Sequence, residues 1–243
     1  MASERLMVFN PRPRIERVDL IPGQACLVID DALIEPERLV EFATARSAEF
    51  RGVDSNAYYP GILLPMPGAV NAALNDFFIE HIRHRFHARR VLQMHCRLAL
   101  TTLLPTALRP YQWICHSDNI DLKPAHSMQA CVLYLFKDSS LGGTGFYAPL
   151  RPWSELRSLY RDAGVLPGSE FAARYGIEPG YQCTSNAFFQ RVGGVEAQWN
   201  RMIFYDGGML HSADISAPEK LSADARRGRL TLNGFFTSRR PVA

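Results

Sequence analysis

Gln93-Met-His-Cys-Arg-Leu-Ala-Leu-Thr-Thr-Leu-Leu104 marks the point where the hydrophobic period of this chain changes. Upstream, Val70, Leu74, Phe77, Phe78, Ile82 and Phe86 fall on one face at helical spacing, which predicts a helix over about 69–89. Downstream, apolar runs become short and turn residues separate them, which predicts strands. Those strands are expected at 93–104, 111–116, 128–136 and 145–148, then at 187–191, 202–205, around His211, and at 229–237. A helical insert is expected over about 153–175. Nearer the start, Gln24-Ala-Cys-Leu-Val-Ile-Asp-Asp31 reads as a strand. Glu35-Pro-Glu-Arg-Leu-Val-Glu-Phe42 reads as a helix, since proline suits the first helical position and glutamates the first turn. The order is not one of alternating βαβ units. It predicts an α+β, mainly β fold: two packed sheets rolled into a barrel-like sandwich, with N-terminal helices supporting one face.

The chain has 243 residues, 47% of them hydrophobic and 21% charged, enough for a substantial core. One domain is expected over 1–243, with an N-terminal strand and supporting helices in 1–91. The β core follows in 92–237, with the insert at about 149–186. A net charge of +3 is too small to argue for nucleic acid or an anionic membrane as partner. The five cysteines are odd in number, never spaced Cys-x-x-Cys, and mostly embedded in apolar runs, as free buried thiols are. Residues 1–19 lack an apolar signal region and no run approaches the length of a spanning helix. A reduced, cytoplasmic protein is the expectation.

His116-Ser-Asp118 is the chemically informative motif. On a strand, side chains two apart share a face, so His116 and Asp118 can reach one small cation while Ser117 points away. With His211 as a distant third ligand, the set matches the two-His-one-carboxylate triad of non-heme Fe(II). The absence of a thiolate partner argues against structural zinc. The plain alternative makes His116 a strand-end histidine and Asp118 the start of an Asx turn before Asn119. His126 is a rival third ligand. His81, His84 and His87, interleaved with arginines, read as a wet cationic face rather than a metal site.

Several stretches together resemble the 2-oxoglutarate and Fe(II)-dependent dioxygenases, in particular their prolyl-hydroxylase-like branch. Val28-Ile-Asp-Asp-Ala-Leu-Ile-Glu-Pro-Glu37 is similar to that branch's opening strand and helix, and His116-Ser-Asp118 to its metal motif. Cys131-Val-Leu-Tyr-Leu-Phe-Lys-Asp138 with Gly142-Gly-Thr-Gly-Phe146 resembles a core strand and the Gly-Gly turn after it. Phe204-Tyr-Asp-Gly-Gly-Met-Leu-His211 resembles the strand and turn that deliver the distal histidine, and Arg229-Leu-Thr-Leu-Asn-Gly-Phe-Phe236 the last barrel strand.

The resemblance covers roughly 28–236 and implies a double-stranded β-helix of the jelly-roll or cupin-like kind. It implies that His116, Asp118 and His211 ligate Fe(II), and that Arg229 grips the distal carboxylate of the cosubstrate 2-oxoglutarate. Thr231 and Tyr134 are implied as further partners of that carboxylate. O2 would be the oxidant and hydroxylation of an unactivated C–H bond the default outcome. An amino acid, a peptide or protein side chain and a small metabolite all remain open as substrate.

Two departures stand beside it. Arg229 follows His211 by 18 positions, longer than the resemblance leads one to expect, so the polar stretch 216–228 is expected to be an inserted loop with Arg227 as a competing anchor. The insert at 149–186 has no counterpart in the resemblance; it could act as a lid or serve a homodimer. Tyr58-Tyr-Pro-Gly61 reads as a hydrophobic turn or a loop closing over substrate, and Trp113 and Trp199 as pocket or core. The competing functional readings are a non-catalytic protein of the same fold and a cupin-like metalloenzyme that does not use 2-oxoglutarate. Arg229 discriminates against the second, which offers it no carboxylate to bind. A zinc hydrolase is disfavoured by the lack of a placed glutamate base.

Overall fold

A computed structural model describes residues 6–52, 59–118 and 122–240. The elements are β1 (Ile15–Ile21), β2 (Gln24–Ile29), α1 (Glu37–Ala45), β3 (Arg51–Gly52), β4 (Gly61–Pro65), α2 (Gly68–Phe77), β5 (Arg90–Thr101), β6 (His126–Tyr134) and β7 (Thr144–Pro149). They continue with α3 (Trp153–Val165), α4 (Gly168–Tyr175), β8 (Phe189–Val195), β9 (Met202–Asp206), β10 (Leu210–Ala213) and β11 (Arg229–Arg239). An eight-stranded sheet runs in the order β1-β2-β9-β6-β11-β5-β4-β3, and a three-stranded sheet in the order β10-β7-β8. Every pairing is antiparallel. The molecule is mainly β, with few helices.

Alternation along the central strands divides the large sheet into two chemically different faces. Leu98 and Leu100 of β5, Leu230, Leu232 and Phe236 of β11, and Cys131 and Leu133 of β6 point to one side. There they bury against Leu39 and Ala43 of α1 and Val70, Leu74 and Phe77 of α2. Gly234 lets α2 come this close: a Cβ there would stand 2.8 Å from Cys131 Sγ and 2.9 Å from Leu74 Cδ2. The helical segment changes its winding as it goes. After α2 it widens to a π turn over Phe78–Ile82 and tightens to a 3-10 turn over Arg83–Phe86. It stops at His87, whose φ is 51°. The wide turn lets the consecutive residues Phe77 and Phe78 both reach the sheet; Phe78 stacks on Phe236 with ring centroids 4.0 Å apart.

The opposite face of the large sheet looks toward the small one. Ala130 and Tyr134 of β6, Ile203 and Tyr205 of β9 and Val28 of β2 pack with Phe146 of β7 and Val195 of β8. The outer side of the small sheet is closed by the insert: Leu156, Leu159 and Phe171 of α3 and α4 pack on Tyr147, Phe189 and Leu210. Trp113 belongs to the same cluster, while Trp199 packs against the helix-covered core, so neither lines the cavity described below.

Residues 111–116 do not form the strand expected of them. Pro110–Gln112 is a 3-10 turn, and only an isolated antiparallel bridge joins His116 to His211. Pro110 cannot donate to a ladder, and the Arg109 N–H instead bonds to the Gln112 side chain at 3.0 Å, which closes the turn. β1, β3 and β4 complete the large sheet where sequence pattern predicted nothing. The stretch 216–228 is irregular apart from a short 3-10 turn at Pro218–Lys220. Cys26, Cys96, Cys115 and Cys131 are free and buried, and Cys183 is free and half-buried. No described helix is long and apolar enough to cross a membrane.

Candidate metal centre and its cavity

β10 and the segment after Pro110 bring His116 and His211 together by their backbones. The His116 N–H donates to the His211 carbonyl at 3.0 Å, and the reverse bond is 2.8 Å. The Asp118 N–H donates to the Gly207 carbonyl at 2.7 Å, in the tight turn between β9 and β10. Two independent segments are thus registered so that three side chains converge. The imidazole centroids are 4.6 Å apart. Nε2 of His116 lies 3.9 Å from Asp118 Oδ1, and Nε2 of His211 lies 3.6 Å from Asp118 Oδ2. One ligand atom from each residue falls within 4.8 Å of the other two.

The electrostatics suit a cation. Burial, with His211 beside it, holds the His116 imidazole well below its usual range, so its ring is neutral and keeps a lone pair. Burial raises the Asp118 carboxyl against the pull of His211 and Arg97. Oδ2 of Asp118 is buried and accepts no hydrogen bond. A buried carboxylate oxygen left without a donor is costly, and a bound cation relieves that cost. His211 Nδ1 lies 2.9 Å from the Met209 carbonyl, which favours the tautomer protonated at Nδ1 and leaves Nε2 as the acceptor facing Asp118. One carboxylate and two imidazoles fit a borderline divalent metal.

The triad lines a cavity of about 340 Å³ between the two sheets. Arg229 closes one end. It is buried, donates from Nε to the Gly142 carbonyl at 3.1 Å and from Nη2 to the Gly143 carbonyl at 2.9 Å. Both glycines are required: Gly142 has a φ of 86°, and a Cβ on either would run into backbone, that of Asp214 or of Val195. No carboxylate pairs with Arg229 among the described residues. Its Nη1 lies 3.5 Å from Thr101 Oγ1, which in turn is 3.0 Å from the Tyr59 hydroxyl. Burial raises the Tyr59 phenol although Arg229 and Thr101 pull it down, so it stays protonated and can donate.

The structure separates the residues named from sequence. His116, Asp118, His211 and Arg229 line one cavity. Tyr134 and Thr231 do not line it: the Tyr134 hydroxyl is engaged by Thr144 Oγ1 at 2.8 Å, and the Thr231 hydroxyl is buried behind the Tyr59 hydroxyl, on which it acts. Arg227 is exposed and reaches toward Asp224, away from the cavity. His126 opens β6 outside the cluster, and His81, His84 and His87 lie at the end of the helical segment, away from it. Tyr58 and Asn119 lie outside the described residues. Tyr59, which the sequence places in a hydrophobic turn or a loop closing over substrate, is on the cavity wall, as are Arg97, Thr101, Tyr181, Tyr205 and Asn233, to which the sequence assigns no role. For Arg97, Thr101 and Asn233 the signal is the inward period of β5 and β11, legible only once the strands are in register.

Residues 11–236 match the DUF6445 family, a family of unknown function. No curated protein matches the chain. Among solved structures it is similar to SnoK, a non-heme alpha ketoglutarate dependent carbocyclase from nogalamycin biosynthesis, with a TM-score of 0.50, 14% identity, and 91% of this chain and 84% of that one covered. SnoN, the epimerase from the same biosynthesis, gives 0.47 and 11%, covering 89% of this chain and 80% of its own. HygX from Streptomyces hygroscopicus, solved with nickel and 2-oxoglutarate bound, gives 0.44 and 12%, covering 90% and 84%. The likeness to SnoK is one of fold.

Proposed function

We propose that this chain, which belongs to the DUF6445 family, is a non-heme Fe(II) enzyme that uses 2-oxoglutarate to oxidise an organic substrate. The observation that carries the reading is the convergence of His116, Asp118 and His211 on a cavity whose closed end is a buried arginine without a carboxylate partner. On this reading the two sheets form a double-stranded β-helix within one domain, allied to the prolyl-hydroxylase-like branch by the motifs at 28–37, 116–118, 204–211 and 229–236.

His116, Asp118 and His211 would hold the iron, which with 2-oxoglutarate and O2 supplies an oxidant able to attack an unactivated C–H bond. The chain's own residues do the rest. Arg229 cannot offer its whole fork, because Nε and one Nη2 hydrogen are held by carbonyls; its remaining N–H groups, with Thr101 and Tyr59, present an end-on carboxylate site. Those same carbonyls keep the guanidinium from swinging, so the site is preorganised. Tyr205, edge-on to the His211 ring at 4.8 Å, fixes that imidazole and excludes water beside it. Hydroxylation is the outcome we assign.

Anaerobic visible absorbance of the protein with Fe(II), before and after 2-oxoglutarate, tests the reading. A broad charge-transfer band that needs both additions and vanishes in His211→Ala supports it. Iron binding without the band would point to a metalloenzyme of another kind, and no iron binding would end the metal assignment.

A further inference from the structure

Resting on that cofactor reading, we infer that Arg97, with Asn233 beside it, binds a carboxylate of the primary substrate. The substrate is then a carboxylic acid with an apolar body. Arg97 lies on the cavity side of β5, directly opposite Asn233 of β11. Among the described residues no carboxylate pairs with it and no oxygen accepts from it; its contact is the Phe235 ring, 5.1 Å away. Its Nε and the Asn233 Oδ1 are both buried and unpartnered. Other arginines in the protein are treated differently. Arg229 is tied to two carbonyls, and Arg201 forks onto Asp30 at 2.6 and 3.0 Å. A cavity-lining guanidinium left without an acceptor is suited to an incoming one, and a planar carboxylate matches it best.

Register sets this pair apart from the cosubstrate's proposed anchor along the sheet. Arg229 stands opposite Thr101 and Asn233 opposite Arg97, four residues along the same pair of strands. At a rise of about 3.3 Å per residue their backbones are about 13 Å apart along the strands. The ends also differ in access: Arg229 is buried, whereas Arg97 is half-buried. A cosubstrate held deep and a substrate entering from the open end follow from this.

The anion is a carboxylate rather than a phosphate. A phosphate group carries about −1.5 to −2 at neutral pH, more than one guanidinium offsets. His95 adds no charge there, since burial and Arg97 both lower its imidazole, and Asp118 lies near enough for its field to act on Arg97. Leu63, Met128, Val132 and Phe235 supply the apolar walls that the rest of the molecule would meet.

The test compares 3-phenylpropionate with its neutral amide, 3-phenylpropanamide, titrated anaerobically against the Fe(II) and 2-oxoglutarate-loaded protein and against the unloaded protein. Wild type, Arg97→Gln, Arg97→Lys and Arg229→Gln are compared by calorimetry, with thermal melts to show that each variant is folded. The acid should bind at least tenfold more tightly than the amide. That preference should vanish in Arg97→Gln, return in part in Arg97→Lys and survive in Arg229→Gln. A preference that persists in Arg97→Gln, follows Arg229, or is absent from wild type overturns the assignment. The cofactor reading fails separately: loss of the visible band with the Arg97-dependent preference intact would remove iron and 2-oxoglutarate but leave the carboxylate site.

Discussion

Oδ2 of Asp118 lies 3.6 Å from Nε2 of His211, too far for a hydrogen bond, and is buried with nothing donating to it. The pair is arranged for a third body between them rather than for each other.

Asp118→Asn should therefore have opposite effects with and without metal. In chelator, removing an unpaired buried charge should leave the melting temperature unchanged or raise it, since burial disfavours the carboxylate. With excess Mn(II) or Fe(II), wild type should melt higher by metal linkage and the variant should not. Melting curves of both proteins in both conditions check this. A variant that is destabilised in chelator would mean that Asp118 is held by protein donors instead.

Arg229→Met tests whether the arginine is structural as well as cosubstrate-binding. Its two bonds to Gly142 and Gly143 satisfy buried carbonyls, so their loss should cost roughly 1–3 kcal/mol even in the absence of any ligand. Stabilisation by 2-oxoglutarate in the presence of metal should disappear as well. Denaturant unfolding with and without 2-oxoglutarate separates the two effects.

Gly234→Ala should destabilise by about 1–3 kcal/mol, because the new methyl meets Cys131 Sγ and Leu74 Cδ2 inside contact distance. Cys131→Ala in the same chain opens space on one side. The double variant should be more stable than the sum of the two single costs predicts, and additivity would show that the helix moves away instead.

Arg201 grips Asp30 with two bonds and lowers its carboxyl below the usual range, chiefly through those hydrogen bonds. A carboxyl depressed in the folded state contributes stability above its unfolded value, about 3.9, and loses it as pH falls through the folded value. Asp30→Asn should thus be less stable than wild type at pH 7, by less than about 1 kcal/mol because the pair is partly exposed. The difference should begin to narrow below about pH 4 and go on narrowing as pH falls through the folded value. Urea midpoints from pH 7 to pH 3 would show it, and a constant difference would remove the ion pair as its cause.

The large sheet was legible because its central strands alternate cleanly. Leu98, Leu100, Leu230 and Leu232 face the helices while Arg97, Thr101 and Arg229 face the cavity. β1 was not legible: Ile15–Ile21 interleaves Glu16, Arg17 and Asp19 with its apolar residues and lies at the sheet edge, so its pattern reads as polar chain. His116-Ser-Asp118 reads as a strand motif, yet it is held by backbone bonds to His211 and Gly207 at the end of an irregular segment. Arg97 was invisible as a functional residue, since one arginine in an apolar strand acquires meaning only from its cross-strand partner.

That irregular segment is what the insert holds in place, and the last prediction concerns it. Cys115, the residue before His116, is pinned from both sides. Its N–H donates to Gln182 Oε1 at 2.8 Å, and its carbonyl accepts from the Tyr160 hydroxyl of α3 at 2.8 Å. Gln182 is itself steadied, since the Tyr147 hydroxyl donates to its carbonyl at 2.6 Å. No ladder fixes Cys115, so these bonds, together with the bridge from His116 to His211, set where the His116 imidazole sits. Tyr160→Phe removes one without opening a cavity in the Leu156 and Leu159 packing. The fold should survive with a loss of about 1 kcal/mol. Divalent metal affinity should fall by roughly tenfold, in the range seen when outer supports of a metal ligand are removed. Metal titration beside thermal melting distinguishes this from general loosening. An affinity loss no greater than that of a remote variant of equal stability, such as Gly234→Ala, would show that the insert supports the fold but not the site.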